Sequence, residues 1–367
     1  MLNTAQINKF FSGKPPVFSA SIRVTKACNL RCSHCYADAG KCSSQQMSYK
    51  KIKSIIKELS TLGVGSIFFT GGEPFIRKDT PDIINYASSL GMSVYLSSNG
   101  TLLTKENLNK IKKAKIGLFQ ISLDGPNSKT HDKIRGVKGV FEKATKSISL
   151  ASKIIKKNVG IGTTLMVDNY CNLKALMEKA PKLGADTFAL IILLNMGRAR
   201  EMNKLDAKKT LDAINKMFEG YRKVKGKINF ASNTTLPPPL IPRDLREKLW
   251  DKFCFCSFPY TLGIDANGDI APCDGFFSFK ETILGNVKKD KIKDVWNKSK
   301  IIAKLKKIRP QDLKGVCSKC KYVEFCNGGC RAAAYQRYKD FCMPDPLCQD
   351  IYDAGLFPKE CLKEVKK

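Results

Sequence analysis

Strand-like and helix-like segments alternate along the first 200 residues of the chain. Six short apolar runs are separated by amphipathic helical patterns. The runs cover residues 20–24, 66–69, 93–96, 117–123, 159–165 and 187–192, and the helical patterns cover 48–62, 81–90, 104–114, 141–157 and 172–183. Since successive strand–helix units build a parallel sheet through right-handed crossovers, the alternation predicts an α/β fold whose sheet curls into a partial (β/α)6 barrel of the TIM type.

Polar and glycine-rich segments directly follow the first four of these strands. They occupy residues 28–36, 70–74, 97–101 and 124–126. In parallel barrels the carboxyl ends of the strands carry the active site, because the loops there meet at one rim. The order of segments therefore predicts a single functional site at this end of the barrel.

The first of these segments contains three cysteines, Cys28, Cys32 and Cys35, spaced C-x3-C-x2-C. The loop is too short to add a fourth ligand, and a purely structural zinc site or cluster would be closed by four. Three thiolates can hold three irons of a 4Fe–4S cluster and leave the fourth iron open to a small molecule. We therefore expect a cluster that takes part in chemistry.

The next two segments each allow a structural and a functional interpretation. Gly71 and Gly72 form an ordinary strand-to-helix turn, or they permit close backbone approach so that Glu73 and exposed carbonyls receive a ligand ammonium group. Ser98 and Asn99 form an Asx-type turn or contribute to the same site.

Two charged residues near the fourth strand are also open to both interpretations. Asp124 accepts hydrogen bonds from ribose hydroxyls, or it closes its own loop. Arg135 pairs with a carboxylate, or it lies at the surface. His34 and His131 are the two histidines of the chain, and neither is expected to bind metal.

Composition restricts the class of protein further. The chain has 367 residues and 15 cysteines, no secretory signal pattern at its start and no apolar run long enough for a bilayer, which predicts a cytoplasmic protein with reduced thiols. The formal net charge is +31, and residues 288–314 hold eleven Lys or Arg against three Asp. This stretch is a solvated helix face, or it attracts an acidic substrate or nucleic acid.

A second group of cysteines lies in the C-terminal part of the chain. Its members are Cys254, Cys256, Cys273, Cys317, Cys320, Cys326, Cys330, Cys342 and Cys348. The run Cys317-x2-Cys320-x5-Cys326-x3-Cys330 permits a zinc ribbon, which together with the basic charge would indicate a nucleic-acid-binding module. The alternative is one or two further iron–sulfur clusters.

The order and spacing of the N-terminal motifs resemble the radical S-adenosylmethionine enzymes. The match consists of the cysteine triad followed by Tyr36, then residues 71–74, 98–100 and 122–125. The resemblance implies reductive cleavage of S-adenosylmethionine to a 5′-deoxyadenosyl radical. It also implies that Gly71, Gly72 and Glu73 hold the methionine amino group, that Ser122 and Asp124 hold the ribose or carboxylate side, and that Tyr36 lies near the adenine.

The C-terminal cysteine pattern resembles the SPASM domain, which holds one or two auxiliary 4Fe–4S clusters. The resemblance implies that Cys256, Cys273 and Cys330 serve the nearer cluster. Cys254 is either its fourth ligand, because alternate residues of an extended strand share a face, or an ordinary buried thiol. It implies that Cys317, Cys320, Cys326 and Cys348 close the farther one, with Cys342 competing with Cys348.

These observations give one expected organisation. Residues 1–16 form an N-terminal extension, 17–225 the radical core, 226–250 a linker, 251–352 the auxiliary domain and 353–367 a tail. The resemblance implies an oxidoreductase that modifies a peptide or a tetrapyrrole, with reduced flavodoxin or ferredoxin as electron donor. Neither nucleic acid nor a membrane is expected as a partner. A zinc-ribbon nucleic-acid binder and a cluster-bearing partner without turnover are the alternatives, and no catalytic acid, base or relay residue is assigned.

Overall fold

Ten strands form one sheet in the computed structural model, which describes residues 17–40, 46–224, 226–231, 236–249 and 259–364. The strands are β1 (Ser19–Thr25), β2 (Ser66–Gly71), β3 (Ser93–Ser98), β4 (Ile116–Ser122), β5 (Val159–Leu165), β6 (Thr187–Ile192), β7 (Asn229–Phe230), β8 (Thr261–Ile264), β9 (Asp269–Ala271) and β10 (Gly285–Asn286). Their order across the sheet is β10-β9-β8-β1-β2-β3-β4-β5-β6-β7. Neighbours from β1 to β7 pair in parallel, so the predicted α/β fold with a partial barrel is confirmed.

The helices lie between the strands and over the C-terminal region. They are α1 (Tyr49–Thr61), α2 (Thr80–Ser89), α3 (Lys105–Ile111), α4 (Ser128–Arg135), α5 (Val140–Ile155), α6 (Leu173–Lys179), α7 (Ala207–Lys223), α8 (Arg243–Leu249), α9 (Ile292–Lys298), α10 (Lys300–Lys307), α11 (Val316–Lys319), α12 (Val323–Cys326), α13 (Arg331–Tyr338) and α14 (Pro346–Asp353). Among the described residues, none of these helices has the length and apolar character that a bilayer crossing needs.

Alternation of side chains along β1 separates the helix-facing side of the sheet from its other face. Ala20, Ile22 and Val24 are buried in the main apolar core together with the inner face of α1. Ser21 and Arg23 point to the opposite face, where both contact Asp274 of the C-terminal region. The inner face of the barrel thus meets the cysteine-rich region directly.

The C-terminal region continues the barrel sheet. β8 pairs in parallel with β1, from Ser19 opposite Thr261 to Ile22 opposite Ile264, and β9 returns antiparallel beside β8. Ala271 at the end of β9 lies opposite Gly263, and Gly263 lies opposite Ser21 in the middle of β1. Cys273 follows two residues later and directly precedes Asp274, which contacts Ser21 and Arg23. β7 lies within the stretch expected to be a linker and adds a short strand next to β6, while the domain boundaries themselves stay a prediction.

Candidate active site

The three N-terminal cysteines lie on the loop that leaves β1. Backbone hydrogen bonds between Cys28 N–H and the Gly40 carbonyl (2.7 Å), and between Gly40 N–H and the Lys26 carbonyl (3.0 Å), close the loop at its base. Cys32 is buried, whereas Cys28 and Cys35 are half-buried. The loop therefore presents all three thiols from one short, closed segment at the carboxyl end of the first strand.

Backbone N–H groups point at two of these sulfurs. Leu30 N–H donates to Cys28 Sγ and Ala39 N–H donates to Cys35 Sγ, each at 3.4 Å. Hydrogen bonds of this kind stabilise thiolates bound to iron. The donor set and its surroundings thus fit a thiolate-bound cluster at this loop.

A loop after β6 clamps the cysteine loop from the other side. The guanidinium of Arg198 donates to the carbonyl oxygens of Cys32 (3.0 Å) and Ala39 (2.6 Å), and its backbone N–H donates to the carbonyl of Cys35 (3.0 Å). A Cβ on the preceding Gly197, whose φ is 57°, would lie 2.5 Å from the Cys35 carbonyl oxygen. Only glycine permits this approach.

Gly71 and Gly72 bring the end of β2 against the cysteine loop. A Cβ added to Gly71 would lie 2.2 Å from the carbonyl oxygen of Thr25, and one added to Gly72 would lie 2.0 Å from that of Ala27. Gly72 N–H donates to Thr25 at 2.8 Å. The two glycines therefore allow close approach between two backbone segments of the protein, while their part in receiving a ligand stays a prediction.

Glu73 ties the glycine segment to the segment that follows β3. Its carboxylate accepts hydrogen bonds from Phe75 N–H (3.1 Å), the Ser98 hydroxyl (2.9 Å) and Asn99 N–H (2.7 Å). The side chain is fully buried, and burial raises its pKa to about 6 in spite of these donors. Glu73 is thus a fully buried carboxyl group at this rim.

Asn99 completes the contact with the cysteine loop. Its side-chain amide donates to Asn29 Oδ1 at 3.0 Å and faces Cys28 Sγ at 3.9 Å. Its own oxygen accepts from Thr101 N–H at 2.8 Å. Ser98 and Asn99 thus both form a turn and connect Glu73 to the cysteine loop.

Asp124 and Arg135 form a buried ion pair beside Cys32. Asp124 Oδ2 lies 2.7 Å from Arg135 Nη2, and Asp124 Oδ1 accepts from Thr164 N–H at 3.0 Å. Burial opposes ionisation of Asp124, but the charge of Arg135 lowers the pKa of the carboxyl below its usual value. Arg135 Nη1 also donates to Cys32 Sγ at 3.7 Å. Arg135 is therefore not a surface residue.

The two histidines lie near this pair, and Ser122 precedes Asp124 by two residues. Ser122 is the half-buried last residue of β4. His131 is fully buried, and its Nδ1 accepts from Asp124 N–H at 3.0 Å. Burial lowers the pKa of both His34 and His131 to about 4, so both rings are neutral at pH 7.

Tyr36 links the cysteine loop to the C-terminal region. Its hydroxyl donates to Asp274 Oδ2 at 3.3 Å, and the guanidinium of Arg23 lies 5.1 Å from its ring centroid. Arg23 in turn donates to the Asp274 carbonyl at 3.1 Å and pairs with Asp265 at 3.6 Å. Asp274 directly follows Cys273, so one predicted cysteine ligand lies next to this polar contact.

Four cysteines of the C-terminal region line one cavity: Cys317, Cys320, Cys326 and Cys348. Tyr322 N–H donates to Cys320 Sγ at 3.4 Å. Burial raises the pKa of Cys317 to about 11, and that of Cys348 well above its usual value. A metal that binds here must displace these thiol protons, which thiolate-binding metals do.

The lining of this cavity bears on the choice between Cys342 and Cys348. Within the described part of the chain, the lining includes Cys348 and does not include Cys342. Across the same residues, no three or more His, Cys, Asp or Glu side chains are placed to hold a single metal ion. A 4Fe–4S cluster is held differently, because each thiolate binds its own iron.

Cys273 and Cys330 form the described part of the other predicted ligand group. Both pack against the apolar cluster of Met196, Phe276 and Phe341. Cys330 Sγ accepts from Ala333 N–H at 3.5 Å at the start of α13. Cys254 and Cys256 lie outside the described residues, so their contribution to this group stays a prediction.

Sequence reasoning missed Arg198, Asp274 and Arg23. Arg23 carried a usable signal, since a charged residue inside the apolar run 20–24 must be paired when buried. Arg198 and Asp274 act through contacts more than 150 residues apart in sequence, for which a single chain gives no local signal.

Two family models match the chain. The radical SAM superfamily model matches residues 22–180, and the SPASM model, an iron–sulfur cluster-binding domain, matches residues 254–321. These families use 4Fe–4S clusters and S-adenosylmethionine as cofactors.

Curated relatives cover nearly the whole chain. The AdoMet-dependent heme synthase of Oleidesulfovibrio alaskensis is 29% identical, and the alignment covers 92% of this chain and 88% of that protein. The mycofactocin maturase MftC of Mycolicibacterium smegmatis is 28% identical, and the alignment covers 97% of this chain and 89% of that protein.

Solved structures share the fold. SuiB of Streptococcus suis bound to S-adenosylmethionine superimposes with a TM-score of 0.72 at 19% identity, covering 90% of this chain and 77% of that one. Native anSMEcpe with bound AdoMet superimposes with a TM-score of 0.68 at 19% identity, covering 91% of this chain and 95% of that one. Because the two family models together match more than half of the chain, the chain belongs to the radical S-adenosylmethionine enzymes and carries a C-terminal SPASM iron–sulfur domain.

Proposed function

We propose that Cys28, Cys32 and Cys35 hold the 4Fe–4S cluster at which S-adenosylmethionine binds. The observation that carries this assignment is the closed loop that presents the three thiols and packs against Gly71 and Gly72. Two of the three sulfurs accept hydrogen bonds from backbone N–H groups. A cluster held by these three thiols would supply the electron for reductive cleavage of the sulfonium to methionine and a 5′-deoxyadenosyl radical able to take a hydrogen atom from the substrate.

The chain's own residues bind and orient the cofactor in this proposal. Glu73 and the carbonyls of the glycine segment receive the methionine ammonium, because a buried carboxylate pairs strongly with a cation. Ser122 and Asp124 serve the ribose or carboxylate side, Arg135 serves a carboxylate, and Tyr36 lies near the adenine. Ser98 and Asn99 hold Glu73 in place through their hydrogen bonds to it.

The substrate class is a tetrapyrrole or a ribosomally made peptide. The heme synthase relatives support a tetrapyrrole, and the mycofactocin maturase relatives support a peptide, at nearly equal identity. Incubation of the reconstituted enzyme with each class, followed by mass spectrometry of the product, decides between them.

The C-terminal cysteines hold one or two auxiliary clusters in this proposal. Cys317, Cys320, Cys326 and Cys348 line a common cavity, which supports one four-thiolate site. Cys273 and Cys330, with Cys256 or Cys254, are proposed for the other. Thiolate sites of this kind need reducing conditions, which supports a cytoplasmic location.

A basic surface supports an acidic electron donor, reduced flavodoxin or ferredoxin. Lys300, Lys304 and Lys307 are exposed on α10, while Leu305 on its inner side packs in the apolar cluster against which Cys273 and Cys330 pack. The helix that carries this basic side therefore packs on the same apolar cluster as those two thiols. Opposite charges speed the encounter of two proteins.

Anaerobic reconstitution tests the proposed function. We expect iron and sulfide rather than zinc, with about twelve iron per chain if three clusters form. Reduction in the presence of S-adenosylmethionine should release 5′-deoxyadenosine. Stoichiometric zinc with salt-dependent nucleic-acid binding would support the zinc-ribbon alternative, and intact clusters without nucleoside release would support a partner without turnover.

A further inference from the structure

Arg135 lies where the end of α4 meets the cysteine loop. Gly136 ends this helix with a φ of 73°. A Cβ on Gly136 would lie 3.2 Å from the carbonyl oxygen of Arg31, which directly precedes Cys32. The helix end is therefore packed closely on the loop, and this contact fixes where the Arg135 side chain begins.

The Arg135 side chain joins a thiol to a carboxylate in the protein interior. Nη1 donates to Cys32 Sγ at 3.7 Å, and Nη2 lies 2.7 Å from Asp124 Oδ2. Asp124 is completely buried, and 9% of the Arg135 side chain is exposed. Thr164 N–H holds the second oxygen of Asp124 at 3.0 Å. Three groups thus follow in a fixed order: thiol, guanidinium, carboxylate.

This order gives the two charges opposite effects on anything bound at Cys32. A cluster gains one negative charge when it takes up one electron, and hydrogen bonds and nearby charge set its reduction potential. The guanidinium favours the added charge, and the carboxylate behind it disfavours the charge from a greater distance. Because both groups are buried, solvent screens these effects little.

We propose that Arg135 and Asp124 act as a charge pair that sets the reduction potential of the cluster bound by Cys32. Arg135 raises the potential through its hydrogen bond to the ligand sulfur, and Asp124 moderates this effect. Both are positioning residues in this role. The inference rests on the assignment of Cys32 as a cluster ligand in the proposed function.

Redox titration of the full-length, reconstituted protein tests the pair. The signal is the electron paramagnetic resonance spectrum of the one-electron-reduced cluster, titrated without S-adenosylmethionine. It is identified in the unaltered protein as the spectrum that changes when S-adenosylmethionine is added, which separates it from auxiliary clusters. The variants are Arg135→Gln, Asp124→Asn and, as the control that keeps the charge, Arg135→Lys. Iron content is measured for each.

The two substitutions should move the potential in opposite directions. At a fixed solution potential, R135Q should lower the ratio of reduced to oxidised cluster about tenfold, which corresponds to about 59 mV for one electron. D124N should raise this ratio of reduced to oxidised cluster. In R135K the ratio should stay close to that of the unaltered protein, because the positive charge is kept. If R135Q fails to load iron, the shift in D124N still decides the sign, with R135K as its unshifted control.

Two results would overturn the inference. One is a pair of shifts in the same direction, as general damage to the site would produce, and the other is an unchanged potential in loaded variants. Absence of any S-adenosylmethionine-sensitive signal in the unaltered protein would instead count against the proposed function, so the two failures are distinguishable.

Discussion

The guanidinium of Arg198 donates to the carbonyl oxygen of Cys32 at 3.0 Å, across 166 positions of sequence. Its other hydrogen bonds reach Ala39 and Asp38, so one side chain spans the cysteine loop. The shape of this loop therefore depends on the segment after β6 as much as on β1.

Replacing Arg198 by Ala should loosen the cysteine loop. We expect the variant to lose about 2 kcal/mol of stability, since charged hydrogen bonds to a partly buried backbone are lost, and to release iron faster. Chemical denaturation and iron retention over time measure the two effects. Arg222→Ala, which removes an exposed pair with Asp244, should cost less than about 1 kcal/mol and leave iron retention unchanged. Equal losses of stability and of iron in the Arg198 and Arg222 variants would contradict a special role of Arg198 in holding the cysteine loop.

Replacing Gly72 by Ala should displace the cysteine loop by direct collision. The new Cβ would lie 2.0 Å from the Ala27 carbonyl oxygen, so one backbone segment must move. We expect at least a tenfold loss of 5′-deoxyadenosine formation. Gly65→Ala is the matched control, because a Cβ there meets nothing within 4 Å. Full activity of G72A would show that the close approach is dispensable.

Binding of S-adenosylmethionine should weaken below about pH 6. Burial raises the pKa of Glu73 to about 6, so the carboxylate that pairs with an ammonium exists only above that pH. The dissociation constant should rise up to about tenfold per pH unit below 6. Calorimetric titration of the reconstituted protein measures it. Glu73→Gln should bind weakly at every pH, and an identical slope in both proteins would rule out Glu73 as the titrating group.

Cys348 and Cys342 should differ in iron binding. Cys348 lines the cavity with Cys317, Cys320 and Cys326, so Cys348→Ser should lower the iron content by up to about four per chain. Cys342→Ser should leave it unchanged. Iron and sulfide are measured in both variants after anaerobic reconstitution. The reverse outcome would make Cys342 the ligand.

Charge reversal on α10 should slow reduction by a protein donor. The triple variant Lys300→Glu, Lys304→Glu and Lys307→Glu should be reduced at least tenfold more slowly by reduced flavodoxin at low salt, and normally by dithionite. The control reverses three exposed lysines: Lys146 in the middle of α5, Lys153 in its last turn and Lys157 just beyond it. Stopped-flow absorbance measures both. Similar rates in the two variants would show that the surface is not the docking site.

The parts of the structure that sequence predicted depend on local patterns. The six strands of the barrel lie within two residues of the apolar runs, because alternation and helical period are local properties. The glycine pair at positions 71 and 72 is a local pattern too, and in the structure it lies against the Thr25 and Ala27 carbonyls, while its part in ligand binding stays a prediction.

The parts that sequence did not predict depend on distant pairing. α4 was not anticipated as a separate helix, since its eight residues carry few apolar side chains. The parallel pairing of β8 with β1 joins segments about 240 positions apart. The ion pair of Asp124 with Arg135 was hidden because each residue had a plausible surface or ligand role by itself.

The central claim is that the loop of Cys28, Cys32 and Cys35 initiates radical chemistry. The most direct measurement is anaerobic quantification of 5′-deoxyadenosine and methionine after reduction with S-adenosylmethionine present. Unaltered protein and Cys171→Ala, which changes an exposed cysteine, should form both in equal amounts, and Cys32→Ala should form neither. Undiminished formation by Cys32→Ala, or none by fully loaded unaltered protein, would contradict the account.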